Sequence, residues 1–470
     1  MKVLFCASES VPFISSGGLA DVCYSLPIAL NKKGIKCSVI LPLYKDIKKE
    51  FREKMKFITN FEVPLSWRNQ YCGVFELFHN GVKYYFLDNE YYFKRDGLYG
   101  HFDDAERFAF FSKAILEALQ NLDYKPDIIH ANDWQTALVP TYYKEIYSKF
   151  DFYKGIKTVF TIHNIHYQGK FDKFVTEDVI GLDDKSITIY DGCTNFMKSA
   201  IESCDKITTV SPTYAHEILN SWYSYGMHFA LQKNVYKLNG ILNGIDTDFY
   251  DPLTDKEIYK NYSIKSIKNK SFNKKELQKR LNLNDDQNVP LIAMVTRLVS
   301  DKGIDLVCSI LEDLLKNENI QFVVLGSGDK NYEEYFDYMQ KKYPGKFSSC
   351  HGFVPELSRK IYAASDIFVM PSKKEPCGLS QMIALRYGSI PIVRETGGLF
   401  DTIKDSGDKK GNGFTFKTYN AHDLYSSIIR SINGYKDKTG WEILVKRAMK
   451  CNNSWQKSSM DYINLYDNLL

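Results

Sequence analysis

Short, unbroken apolar runs recur along the whole chain, and each gives way to a turn and then a helical pattern. Residues 3–8 (VLFCAS), 36–42 (KCSVILP), 127–133 (DIIHAND), 157–164 (KTVFTIHN) and 206–212 (KITTVSP) read as strands. So do 290–298 (PLIAMVTRL), 320–329 (IQFVVLGSGD), 366–372 (DIFVMPS) and 390–398 (IPIVRETGG). A strand that is apolar on both faces must be covered on both, which is the habit of parallel sheets. Between the runs lie amphipathic stretches such as 105–119, where Phe108, Phe111, Ile115 and Leu119 repeat at helical spacing. Strands alternating with helices predict βαβ units and a doubly wound α/β architecture.

The strands fall into two groups separated by a polar, lysine-rich stretch at 250–286 that opens on Asp251-Pro252. At 470 residues the chain exceeds one comfortable core. The division predicted is two Rossmann-like parallel-sheet domains, 1–248 and 249–455, with a closing helix at 456–470. A net charge of +4 without a concentrated basic face argues against a nucleic-acid partner. Ten scattered cysteines lack a C-x-x-C pair, the pattern of reduced thiols in a cytoplasmic protein. No run approaches the length of a membrane span, and the N-terminus turns polar too soon for a signal peptide.

Glycines and polar residues cluster just after the strands, at 15–21 (SSGGLAD), 130–134 (HANDW), 163–169 (HNIHYQG), 296–303 (TRLVSDKG), 372–379 (SKKEPCGL) and 395–399 (ETGGL). Open parallel sheets bind ligands beyond the carboxyl ends of their strands, so this is where a site is expected. Because both halves contribute, the expectation is a pair of domains facing an interdomain cleft. Gly17 and Gly18 read either as a plain turn or as room for a ligand beside a helix N-terminus. Arg297 and Lys302 read either as solvated charges or as a phosphate clamp. Tyr91, Tyr92 and Trp134 are candidate sugar platforms, with ordinary packing the plainer reading.

Three patterns carry less. Asp246-Thr247-Asp248 has D-x-D spacing but reads as turn chemistry, and His163 with His166 lacks the helix and third ligand of a zinc site. Gly326-Ser327-Gly328-Asp329 lacks the third glycine of a dinucleotide fingerprint. No metal site is predicted.

Taken together, GGLADV (17–22), HANDWQTALVP (130–140), TIHNIHYQG (161–169), GILNGID (240–246), TRLVSDKGIDL (296–306) and EPCGLSQMIALRYGSIPIVRETGGLFDTI (375–403) resemble the bacterial glycogen synthase and plant starch synthase family. That resemblance implies a GT-B glycosyltransferase that retains configuration and needs neither cofactor nor metal. It implies glucose transfer from ADP-glucose to the non-reducing 4-hydroxyl of an α-1,4-glucan, with UDP-glucose as the alternative donor. A catalytically lapsed glucan-binding protein is the rival from another class.

The roles implied are specific. Glu375 is the essential carboxylate, and Arg297 and Lys302 neutralise the donor diphosphate. His163 meets the transferring glucose, while Asp133 and Asn243 position sugar hydroxyls. Gly17, Gly18, Gly378, Leu379 and the Thr396-Gly397-Gly398 turn cradle the donor, and Asp21 lies on the nucleotide or acceptor side. One departure stands out: Ser15 occupies the position where the family usually has a lysine. Charged hydrogen bonds contribute roughly 1.5–3 kcal/mol, so donor affinity or donor choice is expected to differ.

Overall fold

The computed structural model describes residues 1–182, 185–352 and 354–470, and its chain divides into two compact units. The first comprises Met1–Asn243 with Trp455–Leu470, and the second comprises Gly244–Ser454. No helix among the described residues is long and apolar enough to cross a membrane.

In the first unit the strands are β1 (Lys2–Cys6), β2 (Lys36–Pro42), β3 (Lys56–Leu65), β4 (Arg68–His79), β5 (Val82–Asp88), β6 (Ile128–Asn132) and β7 (Lys157–Ile162). A small antiparallel trio follows, β8 (Lys170–Phe171), β9 (Ile189–Tyr190) and β10 (Cys193–Asn195), and then β11 (Lys206–Thr209) and β12 (Leu238–Gly240). Nine of these form one sheet in the order β12-β11-β7-β6-β1-β2-β5-β4-β3. The run from β12 to β5 is parallel, and β1 pairs with both β2 and β6. β1 and β6 are buried almost throughout, as their unbroken apolar runs require.

The hairpin β3–β4 is antiparallel, with only Val63 and Leu65 buried in β3, and is not among the predicted strands. Its interleaved polar residues dilute the apolar signal on which the sequence reading depended. The helix Asp104–Asn121 is the amphipathic element predicted at 105–119, with Phe108, Phe111, Ile115 and Leu119 all buried. The helix Trp455–Asp467 packs against the helix Gly18–Asn31, and Tyr466 reaches the sheet interior, where its hydroxyl lies 2.7 Å from His130 Nδ1.

The second unit holds β13 (Leu291–Val295), β14 (Gln321–Leu325), β15 (Phe347–Cys350), β16 (Ile367–Met370), β17 (Ile390–Arg394) and β18 (Phe414–Phe416). They form a wholly parallel sheet in the order β15-β14-β13-β16-β17-β18. The lysine-rich stretch at 250–286 belongs to this unit. Its helix Lys270–Arg280 buries Lys270, whose ammonium donates to Tyr362 O and Ala363 O, and Lys274, which pairs with Asp366 at 2.8 Å.

Each unit is therefore a doubly wound sheet with a point where the strand order reverses. In the first unit the chain leaves β1 for β2 on one side and later places β6 on the other. In the second it leaves β13 for β14 and β15, then returns with β16 beside β13. A crevice at such a point, beyond the carboxyl ends, is where these folds bind ligands.

Candidate functional site

In the second unit, the loops after β13, β16 and β17 converge at the switch point. Lys302 Nζ lies 2.6 Å from Glu375 Oε2, and Ser372 Oγ donates to the same oxygen at 3.0 Å. Glu375 is 6% exposed, and both of these bonds fall on Oε2 rather than Oε1. Arg297 is exposed on the loop after β13 that also carries Lys302. Gly303 (φ +73°) ends that loop in the left-handed region, where a Cβ would collide with Pro371 O. The two loops thus cross backbone to backbone, joined by Lys373 N–H donating to Asp301 O at 2.8 Å.

The glycine pair after β17 works in a similar way. A Cβ on Gly397 (φ +43°) or Gly398 would collide with the carbonyl oxygens of Glu375 and Cys377 respectively. Gly398 N–H is shared between Glu375 O and Pro376 O, and Thr396 N–H donates to Arg394 O. The Gly398 N–H thereby holds the 375–377 loop, while the Thr396 N–H turns back on the end of β17. Gly378 (φ +74°) and Leu379 lead into the helix Ser380–Arg386, and Gln381 Nε2 fastens that turn through Cys377 O and Gly378 O.

In the first unit the loop after β1 differs. Ser15, Gly17 and Gly18 are exposed, and a Cβ on either glycine would meet nothing within 4 Å. Gly17 is extended (φ −172°), so neither backbone conformation nor packing within the protein demands glycine there. The loop is tied down by Glu9, whose carboxylate accepts from Ser16 N–H, from Ser16 Oγ at 2.7 Å and from Tyr99 OH at 2.7 Å.

Asp133, after β6, sits at φ +56°, an uncommon conformation for a residue with a side chain. Its Oδ1 accepts from His163 N–H at 2.8 Å, so the loops after β6 and β7 are locked together. Burial raises the Asp133 carboxyl from 3.8 to about 7, opposed by the His163 and Asn164 N–H groups and assisted by the Glu9 charge. Burial and then Glu9 raise Asp21 to about 6.

Burial also lowers the His163 imidazole to about 3, so it is neutral near pH 7. Its Nε2 lies 2.9 Å from Asn132 Oδ1, while Asn132 Nδ2 donates to Cys6 O and His130 O. The Asn132 oxygen is thereby an acceptor, so Nε2 carries the hydrogen and His163 Nδ1 is the bare, accepting nitrogen. Asn243 is 5% exposed, and its Oδ1 is buried with no hydrogen-bond partner among the described residues. Beside Asp133, Trp134 lines an open cavity of about 470 Å³ with His166, Tyr167, Gln168, Phe171 and Tyr225.

Sequence reasoning missed Glu9, Asn132, Ser372 and Arg394. Arg394 is buried and donates through Nε to Ser372 O at 3.0 Å and through Nη2 to Lys373 O, bracing the strand end ahead of Glu375. The three weaker patterns have other uses. Asp246 Oδ1 caps its own turn through Asp248 N–H and Phe249 N–H. Gly326 and Gly328 press against Thr296 O and Leu298 O, and the His166 ring meets Tyr225 edge to face at 4.4 Å.

The raised Asp133 value carries a sign. Between its ordinary 3.8 and about 7 the folded protein binds more protons at Asp133 than the unfolded chain, so this group's contribution to stability falls as pH rises through that window. Asp133→Asn still accepts from His163 N–H and lacks the titration. Chemical denaturation from pH 4 to 8 is expected to show a flatter profile for Asp133→Asn, with its relative gain largest above about pH 7.

Comparison with known proteins places this arrangement. Residues 2–233 match the starch synthase catalytic domain, and residues 273–442 match the glycosyl transferases group 1 domain. The glycogen synthase of Clostridium botulinum (strain Alaska E43 / Type E3) is 50% identical over 476 residues, covering 100% of this chain and 99% of that protein. The glycogen synthase of Geobacillus stearothermophilus is 48% identical over 476 residues, covering 100% and 98%. Among solved structures, the catalytic domain of starch synthase IV from Arabidopsis thaliana bound to ADP and acarbose superposes with a TM-score of 0.91 at 35% identity, over 99% of this chain and 98% of that one. Sucrose-phosphate synthase from Thermosynechococcus elongatus shares the fold, with a TM-score of 0.62 at 16% identity, over 100% and 98%. Full-length identity near one half, with two parallel-sheet α/β units of the GT-B type, shows that the chain belongs to the glycogen synthase family of glycosyltransferases.

Proposed function

We propose that this glycosyltransferase moves glucose from ADP-glucose to the non-reducing 4-hydroxyl of an α-1,4-glucan, with retention of the α configuration. The observation that carries the reading is the Lys302–Glu375 pair, 2.6 Å apart at the switch point of the second unit. Lys302 and Arg297 neutralise the diphosphate as charge develops on the leaving group, an ammonium point charge beside a planar fork. Glu375 Oε1, which takes neither the Lys302 nor the Ser372 bond, accepts from a hydroxyl of the donor glucose. In the first unit, His163 Nδ1 and the Asn243 amide meet sugar hydroxyls, and the aromatic wall around Trp134 takes the glucan.

A retaining glycosidase uses two carboxylates about 5 Å apart, one of them a nucleophile. Within its own unit Glu375 is held instead by a cation and a hydroxyl. Departure and attack on the same face of the sugar, through an oxocarbenium-like state, fit that arrangement better. Incubation with ADP-glucose and a maltooligosaccharide, followed by product sizing, tests the reading; no elongation with either nucleotide sugar would sink it.

Ser15 favours one second reading, in which UDP-glucose is the donor, and a radiolabel competition between the two donors decides it. Ser15→Lys places an ammonium on an exposed loop position. At roughly 1.5–3 kcal/mol per charged hydrogen bond, the donor KM is expected to fall by about tenfold or more. The glucan KM should move less, and equal shifts in both would contradict this placement of the loop.

A further inference from the structure

Asn132 closes β6 and is 1% exposed, so it can reach a substrate only through another residue. Thr136 Oγ1 accepts from its backbone N–H at 2.6 Å and donates to its carbonyl at 2.8 Å, which leaves the side chain to bond elsewhere. Its Nδ2 lies 3.1 Å from Cys6 O and 3.1 Å from His130 O, and its Oδ1 lies 2.9 Å from His163 Nε2. Cys6 ends β1 and His163 follows β7, so one amide joins three adjacent strands just where their loops begin. The plainer reading is a stitch in the sheet. The bond to His163 goes further.

Only one orientation is open to this amide. Backbone carbonyls accept and never donate, so the edge facing Cys6 O and His130 O has to be the NH₂. Turned over, the group would bring oxygen against oxygen in a buried space, where unmade bonds are not replaced by water. That choice passes to the imidazole, because the hydrogen bond at one ring nitrogen sets which of the two is protonated. An oxygen faces Nε2, so Nε2 carries the hydrogen. Burial keeps the ring neutral near pH 7, and Nδ1 therefore keeps a bare lone pair. The bonds His163 makes among the described residues use its backbone N–H and Nε2, which leaves Nδ1 for a ligand.

A bare lone pair is selective. It takes a hydrogen from a hydroxyl and repels groups that only accept, such as a carboxylate or an ether oxygen. An imidazole without a fixed partner would divide between two tautomers, and the fraction with Nδ1–H would have to convert before accepting. A ring held by a partner that is itself held meets its ligand already set.

We infer that Asn132 is a positioning residue for the transfer: by fixing His163 in the Nε2–H tautomer, it makes the ring an acceptor and admits a hydroxyl-bearing sugar at that point. This rests on the reading that His163 meets a hydroxyl of the donor sugar.

The test is nuclear magnetic resonance of the protein labelled with ¹⁵N-histidine, the His163 signals being identified by their loss in His163→Ala. At pH 7 the parent should show Nε2 protonated and Nδ1 bare. The reverse tautomer, or an exchanging mixture, overturns the inference. Added ADP-glucose, without acceptor, should shift the Nδ1 signal as an accepted hydrogen bond does while Nε2 keeps its hydrogen; a protonated Nδ1 in the complex also overturns it. Asn132→Leu, similar in size but without the acceptor, should lose the single tautomer and weaken ADP-glucose binding about tenfold. Placed in the His163→Ala background, the same change should move that Kd by less than about twofold, because Asn132 acts through the ring. Equal losses in both backgrounds, with the tautomer unchanged in Asn132→Leu, would leave Asn132 as a stitch alone. Should Asn132→Leu fail to fold, the tautomer of the parent still decides. A fixed tautomer whose Nδ1 signal does not move with either nucleotide sugar would instead count against the placement of His163 at the donor.

Discussion

Glu375→Ala is expected to lower glucan elongation by about 10³-fold or more while leaving the fold intact. The argument starts from geometry: a carboxylate almost wholly enclosed, with an ammonium at 2.6 Å and a hydroxyl at 3.0 Å on one oxygen. Groups placed in advance where charge develops typically contribute about 10²–10³-fold each. Removing Glu375 also leaves Lys302 without its partner, so two elements of the site fail together. Lys302 is part-exposed, and water can replace the lost contact, which limits the cost to stability. Glu375→Gln is the sharper variant, because its amide oxygen can still accept from Ser372 while the charge is gone. Product sizing after incubation with donor and maltooligosaccharide, beside a thermal melt, separates the two effects. Full activity in Glu375→Gln would remove this residue from the chemistry.

Gly397→Ala should cost the second unit stability as well as activity. A left-handed conformation costs a residue with a Cβ about 1–2 kcal/mol, and overpacking adds about 1–3 kcal/mol. The added methyl meets Glu375 O and Pro376 O, backbone atoms that cannot rotate away. At about 2–4 °C per kcal/mol for a domain of this size, the melting temperature should fall by about 5–15 °C. Elongation should fall with it, because the displaced carbonyl belongs to Glu375. Gly17→Ala is the contrast: its backbone is extended and its Cβ would meet nothing, so the melt should not move, and any loss should appear only in substrate binding. If the two variants melt alike, the loop-to-loop contact is not what demands glycine at 397.

The strands that could be read from the chain, such as β1, β6, β13 and β17, are those covered on both faces, where an unbroken apolar run has no other explanation. β3 and β4 escaped because polar residues interleave with their apolar ones and few of the β3 residues are buried, and their pairing is interrupted by a register shift between Phe57 and Thr59. Composition does not reveal that Lys270 and Lys274 are buried against backbone carbonyls and Asp366. At the site, residues in glycine-marked loops stood out. Those acting through partners far along the chain did not: Asn132 meets His163 31 residues on, and Tyr99 reaches Glu9 across 90. No local spacing encodes such pairs, because the sheet order alone brings them together.

The first unit joins two segments far apart in sequence, Met1–Asn243 and Trp455–Leu470, which has a consequence during biosynthesis. Domains ordinarily fold in the order in which the ribosome delivers them. Here the portion made first must wait: His130 lacks its Tyr466 partner, and the helix Gly18–Asn31 lacks its cover, until Trp455–Asp467 has been translated. The contiguous Gly244–Ser454 emerges earlier than that helix and can settle before it. A nascent chain stalled short of Trp455 would therefore carry an uncovered apolar seam at its N-terminal end, the kind of surface that chaperones hold.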